Sequence, residues 1–393
     1  MAEGRDRSSF KLIRFQRPMF HLSREALLHV RVLQLVPQAD SLRLLLRFSS
    51  TSSKSRAFRV SYLINSCGLS RESALSASKL LKFENPSRPD AVVAVFKSRG
   101  FAPAQISQII ARLPTLLSAN PDKILLPKFN FLRSRGISDP ELANLVVAVP
   151  NVLSRSLVQH LVPTFDYISN LLQSDEKAIA AIKRAPRLLY DNPQGVLVPE
   201  ITTLRNAGVP EPNIRHLVLY HGQMFGARSL QFEESMNRVK TMGFDPYKIS
   251  FVMALRVLMG MSESVWRQKI GVYGKWGWSE EVVILAFRRY PLCMMSSESK
   301  ITAIMDFFVN VVGLDPLVIS ECPLTITFSL KKRIVPRGSV FRVLLSKGLV
   351  KPRSLSTLLT VSEKKFVEKY VTNYLQEAPQ LLALYNEKMG LAC

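Results

Sequence analysis

The apolar positions of this chain fall in short helical stripes that restart at a regular interval. Residues 136–153 show one unit: Leu142, Leu145, Val146 and Val149 lie at helical spacing, polar residues fill the other face, and Pro150 ends the run. Gly136 suits the left-handed turn that closes a preceding helix, and Ser138 with Glu141 three residues on has the form of a capping box. Pro140 sits in the first turn, where its missing N–H costs little, whereas Pro150 cannot continue the helix. An apolar pair follows the proline, as in Val152–Leu153, Leu116–Leu117 and Leu188–Leu189. A second helix then runs to the next glycine. Pro127, Pro163 and Pro199, each 36 residues apart, are expected at the starts of these second helices.

The unit repeats. Glycines stand at Gly100, Gly136, Gly208, Gly243, Gly277, Gly313 and Gly348, with steps of 36, 72, 35, 34, 36 and 35 residues. In the double step Leu172 holds the glycine register and Pro186 follows fourteen residues later, as Pro114 follows Gly100 and Pro150 follows Gly136. A degenerate unit opens at Gly68, so eight or nine units are expected. Gly222 and Val257 replace the proline in two units, and Pro323 comes early in another. A period of this length predicts an all-α helical-repeat solenoid in which each unit buries its apolar side only against its neighbours. It excludes a single compact core.

Composition adds a partner. Of 393 residues, 53 are Lys or Arg and 30 are Asp or Glu, a formal net charge of +23. Such an excess points to a polyanion, nucleic acid ahead of an anionic membrane. The longest apolar segments are short and interrupted by charge, so no membrane span is expected. Cys67, Cys293, Cys322 and Cys393 are widely separated, fit no metal-ligand spacing and read as reduced thiols.

Residues 1–53 differ from the rest. Up to Phe48 they hold nine basic residues against four acids, with Leu27–Leu28 and Leu44–Leu46 among the arginines and a serine-rich end at Ser49–Ser50. This is the composition of an organelle transit peptide, with a mitochondrion expected, a chloroplast the alternative, and either Met1 or Met19 as start. The division that follows is a leader over 1–53, a repeat array over 54–375 and a C-terminal tail over 376–393.

The repeats resemble the mitochondrial transcription termination factor (mTERF) family. Arg112-Leu-Pro114-Thr-Leu-Leu117, Val149-Pro150-Asn-Val-Leu153, Arg184-Ala-Pro186-Arg-Leu-Leu189 and Arg289-Tyr-Pro291-Leu-Cys293 carry the likeness, with Ser362-Glu-Lys-Lys-Phe366 near the end. The resemblance covers about Gly68 to Tyr370 and is that of a plant organellar member. It implies units of two α-helices and a short 3₁₀ element wound into a half-doughnut, with nucleic acid on a positively charged concave side. It also implies a role in transcription termination, intron splicing or ribosome assembly.

The candidate binding residues are basic. Arg112, Lys183, Arg184, Arg256, Arg288 and Arg289 all fall near the proline register, at the ends of first helices, where stacking would align them in a stripe. Arg187 joins them, and Lys331, Lys332 and Arg333 form the densest cluster with Arg337, in a loop after Pro323. Cations at helix C-termini are also favourable with no ligand, so a purely structural role competes. A second set, Lys128, Arg133, Arg135, Arg205, Arg238, Lys240, Lys275, Arg342 and Lys347, lies in the second helices and fits solvated faces equally well. Tyr220, Phe225, Tyr273, Trp276, Trp278 and Tyr290 are aromatic candidates for base stacking, with core packing the alternative.

Nothing points to catalysis. His160, His216 and His221 have no carboxylate or cysteine at ligand spacing, and Gly271-Val-Tyr-Gly274-Lys-Trp-Gly277 lacks the ending of a phosphate-binding loop. No enzyme activity, metal or cofactor is expected. The partner is nucleic acid, double-stranded DNA first and RNA second, bound by a monomer. A pentatricopeptide array and a protein-binding solenoid of the HEAT kind are the rivals. The first lacks the mid-repeat proline, and the second suits a more balanced charge.

Overall fold

The computed structural model describes residues 54–226 and 229–390, so the expected leader over 1–53 and Cys393 lie outside it. Among the described residues every regular element is helical. A helix over residues 54–65 leads into nine two-helix units. Their first helices are Arg71–Ser78, Pro103–Arg112, Asp139–Ala148, Asp175–Arg184, Glu211–His221, Ile249–Met259, Glu280–Arg289, Pro316–Glu321 and Leu355–Thr360. Their second helices are Ser87–Ser98, Pro121–Ser134, Val162–Leu172, Leu197–Asn206, Ser229–Thr241, Glu263–Gly274, Glu298–Asp306, Val335–Ser346 and Glu363–Phe366. Most first helices pack on the next first helix, and several second helices on the next second helix. This is the expected all-α repeat solenoid.

Local chemistry sets each boundary. The Ser138 N–H donates to the Glu141 carboxylate at 3.0 Å, completing the expected box. Val149 turns out of the helix at φ −137°, and Pro150 opens a 3₁₀ turn, Pro150–Ser154, that buries Val152 and Leu153 completely. Pro114–Ser118, Pro291–Met295 and Pro323–Thr327 repeat the device. Gly136 adopts φ 100°, a conformation closed to most side chains. In the unit without a glycine the left-handed residue is Gln173, at φ 58°, one position after Leu172, and the helix Val162–Leu172 runs two residues further in the register than Pro121–Ser134.

Three departures from the expected units occur. Gly222, in the place of a proline, has an ordinary helical φ, but a Cβ there would lie 2.5 Å from Leu188 Cδ1 and 3.1 Å from Ala185 Cβ, so a larger residue would have to displace the preceding unit's Leu188. With Val257 instead of proline, the helix Ile249–Met259 runs on without a 3₁₀ turn and meets Glu263–Gly274 at 111°. The second helices do not all start at the expected prolines. Pro121 opens the helix that contains Pro127 in its interior, while Pro199 is the third residue of its helix. Before Pro163 and before Pro336 the chain makes a π-helical turn, Leu157–Leu161 and Leu330–Ile334, a wider ring that accommodates a residue with no N–H to donate.

The core is a continuous file. Phe96, Phe129 and Phe165, one per second helix, are fully buried, and Phe96 and Phe129 touch across the repeat boundary at 5.8 Å between ring centres. Cys67, Cys293 and Cys322 are buried free thiols. Within 376–393, set apart in the sequence as a tail, the helix Leu381–Met389 packs on Val335–Ser346 and buries Leu381 and Tyr385. Among the described residues no single helix is long and apolar enough to cross a membrane.

Candidate nucleic-acid interface

Each first helix ends at the break and each second helix begins just after it, so first-helix C-termini and second-helix N-termini share one edge. The last carbonyls of a helix have no partner within it. Here cations of the neighbouring unit reach them. Arg112 Nη1 donates to the carbonyls of Val147, at 2.9 Å, and Ala148, at 3.4 Å. Arg289 Nη1 donates to the Ser320 carbonyl at 3.0 Å. Arg155 donates to the Tyr190 carbonyl at 3.1 Å and lies over the Tyr190 ring.

The ten candidate cations therefore do not fall in one file. Arg112 and Arg289 reach forward to the next unit. Lys183 and Arg288, one residue earlier in their helices, reach back: Lys183 pairs with Glu141, and Arg288 donates to the Gly243 carbonyl at 3.2 Å. Arg184 donates to its own helix at Ala180 and lies 5.2 Å over the Tyr220 ring. Arg187 pairs with Asp191 at 3.5 Å. Arg256 is half-buried beside His221. Lys331 and Lys332 are exposed, and Arg333 covers Phe328 and reaches the Leu359 carbonyl at 3.4 Å. Of the ten, only Lys183 and Arg187 hold an ion pair within 4.0 Å among the described residues.

The cluster at 331–333 is not in a loop. It occupies the π-helical turn Leu330–Ile334, with the Ser329 hydroxyl accepting from the Lys332 N–H. Arg337 does not belong with it. That side chain is 1% exposed, donates to the carbonyls of Leu358, Leu359 and Val361, and pairs with Glu363 at 2.8 Å.

The second set is largely consumed by the fold. Lys128 is buried and donates to the Leu153 carbonyl; its burial pulls its pKa down. Lys269, which the sequence did not single out, does the same at Ser296, and Lys300 at Thr327. Arg133 pairs with Asp139, Arg135 with Asp166 and Asp175, Arg205 with Glu211, and Arg238 with Glu263. Arg342 donates to the Val311 carbonyl.

Of the six candidate aromatics, Phe225, Tyr273 and Trp278 are core residues. Tyr273 and Trp278 stack 4.7 Å apart, with the hydroxyl of one on the Cys293 carbonyl and the indole N–H of the other on the Pro316 carbonyl. Trp276 and Tyr290 are half-buried, and Tyr220 is 45% exposed. Tyr220 does not stand alone. The His216 ring lies 4.7 Å from it and 5.7 Å from His221. Burial first, then Arg256 and His216, hold the His221 imidazole down at about 4. Burial likewise lowers His216. The signal was present in the sequence as a histidine and a tyrosine four residues apart, one helical turn. The glycines Gly271 and Gly274 lie in the helix Glu263–Gly274, which leaves no phosphate loop there. No group of metal-ligating side chains forms among the described residues.

The mTERF family model matches residues 93–318 and again 257–367, together well over half of the chain. Overlapping matches are what a repeat array gives, because one unit can take the place of another. No curated protein matches at a significant level.

Proposed function

The chain belongs to the mTERF family of nucleic-acid-binding, transcription-termination-type repeat proteins, and from that premise we propose that it binds double-stranded DNA in an organelle and regulates transcription termination there. The observation that carries the reading is the uneven pairing of cations. Arg133, Arg135, Arg205 and Arg238 are neutralised by carboxylates, whereas Arg112, Arg184, Arg256, Arg289, Lys331, Lys332 and Arg333 face the break edge with none in pairing distance. A surface of that kind suits a phosphate backbone, whose contacts set affinity and register without reading sequence. The protein acts as a monomer, without a cofactor and without catalysis. Residues 1–53 direct it to the mitochondrion, residues 54–375 form the binding array, and the following segment closes it.

RNA is the second reading. Tyr220, half exposed with Arg184 over its ring, offers a face on which an unpaired base would stack. The test compares a DNA duplex with single-stranded and hairpin RNA of the same sequence, over a salt series. Tighter binding to the duplex is expected, and a clear preference for RNA would transfer the role to splicing or ribosome assembly. A leader–reporter fusion imaged in plant cells tests the compartment, and a cytosolic signal would overturn it.

A further inference from the structure

Three successive first helices converge at Tyr220. Asp175–Arg184 brings Arg184 over the phenol ring; Glu211–His221 carries His216, Tyr220 and His221; and Ile249–Met259 brings Arg256 to His221. Arg184 thus covers the ring that His216 touches, Arg256 acts on His221, and neither arginine has a carboxylate in pairing distance among the described residues.

The acids on the surrounding helices are engaged elsewhere. Asp166 and Asp175 pair with Arg135, Glu211 pairs with Arg205, and Glu176 accepts from the Ser174 hydroxyl. Of the other ionisable groups on the packed elements, Lys183 pairs with Glu141, Arg187 with Asp191, Arg215 and Tyr167 act on the Arg205–Glu211 pair, and Glu200 is buried against Gly226. The helix Ile249–Met259 has Arg256 as its one ionisable residue.

We propose that Arg184, Tyr220, His221 and Arg256 form a phosphate site whose occupation is coupled to proton uptake by the His216–His221 pair, so that nucleic-acid binding tightens as pH falls. This rests on the nucleic-acid reading above. The carbonyl end of a helix favours a charged histidine at its last position. Here that preference is overruled by burial and by Arg256, so His221 is neutral at pH 7 in the free protein. A phosphodiester set against the two arginines shifts the balance against burial: it cancels the repulsion from Arg256 and its own negative charge favours the imidazolium. The sign follows from linkage. A ligand that raises a depressed histidine pKa takes up a proton as it binds, and its affinity grows with acidity.

The test is the affinity of the full chain for a short fluorescein-labelled DNA duplex at constant ionic strength, from about pH 8 to about pH 5.5. If binding returns His221 to its ordinary value of 6.5, affinity rises roughly tenfold over that range. His221→Gln should flatten the profile, and His160→Gln, in a different unit, should not. Arg256→Gln should weaken binding and move the rise to higher pH, because it removes the arginine charge that adds to burial in depressing His221; this variant keeps the test decisive if His221→Gln folds poorly. A pH-independent wild-type affinity, or a flattening by His160→Gln equal to that of His221→Gln, overturns the proton-linked site and leaves the nucleic-acid reading standing. No binding at any pH overturns both.

Discussion

Arg112 Nη1 lies 2.9 Å from the Val147 carbonyl oxygen, and Arg289 Nη1 lies 3.0 Å from that of Ser320. In both cases the acceptor is the penultimate residue of the next unit's first helix. The same bond therefore recurs five units apart. It closes an orphan carbonyl and ties one unit to the next, while the guanidinium stays at the solvent edge. A cation in this position serves the stack and the ligand with different donors of one side chain, since Arg has five N–H groups in a fixed fork.

Arg112→Gln and Arg289→Gln should each lower stability by about 0.5–1.5 kcal/mol, because the shorter amide cannot reach the carbonyl. Both should also weaken nucleic-acid binding. Arg184→Gln should weaken binding with a smaller stability loss, since its hydrogen bond returns to its own helix. Urea denaturation of the three variants checks this. Equal stability losses in all three would remove the inter-unit role.

Arg337→Met should be more costly, about 1–3 kcal/mol, because it leaves the three carbonyls around a buried side chain without their donor, while Glu363 stays open to solvent. Glu363 also accepts from the Tyr385 hydroxyl of the last helix. Amides of 381–389 should therefore exchange faster in Arg337→Met, and those of 139–148 should be unchanged. Unaltered protection at the last helix would show that its apolar residues alone hold it.

The repeat was legible in the sequence because its signals are local. A left-handed glycine, an N-cap serine and a helix-ending proline each act within a turn, and Ser138, Gly136 and Pro150 do as their chemistry dictates. The fate of the cations was not legible, because it depends on partners about one period away. Lys128 and Arg133 look alike on one helix, yet one is buried on Leu153 and the other faces Asp139. Arg112 and Arg289 read as members of a binding stripe along the chain, yet both bridge units. A difference of one helical position, Lys183 against Arg184, sends one chain backward and the other forward, and a linear stripe cannot express that.

Glu200 should make stability pH-dependent. It is 4% exposed, Oε1 has no partner, and Oε2 accepts from the Gly226 N–H at 3.3 Å. Burial, with Asp191 adding to it, raises its pKa to about 7 against that one hydrogen bond. The folded pKa exceeds the unfolded value, so the folded state keeps its proton longer, and stability falls as pH rises from about 4.5 through about 7. Glu200→Gln removes this slope. Its advantage over wild type should grow by on the order of 2 kcal/mol between about pH 5 and about pH 8. Parallel stability curves over that range would show that Glu200 ionises freely.

The cations with no partner should dominate the salt dependence of binding. Lys331 and Lys332 are exposed in a π-helical turn and hold neither a carboxylate nor a neighbouring carbonyl through their side chains among the described residues. Neutralising both should therefore cost no measurable stability. Each phosphate that the protein no longer neutralises lowers the slope of log affinity against log salt by about 0.9 on duplex DNA, so Lys331→Gln with Lys332→Gln should flatten it by roughly twice that amount. The control is Arg133→Gln with Arg205→Gln, which removes the same formal charge. Those arginines are paired with Asp139 and Glu211, so their removal frees two carboxylates and changes the net charge equally. If long-range charge alone governs binding, the two double variants will flatten the slope alike. If direct phosphate pairing governs it, the lysine pair will flatten the slope and the arginine pair will mainly lower stability. Equal slopes would refute the assignment of the break edge as the binding surface.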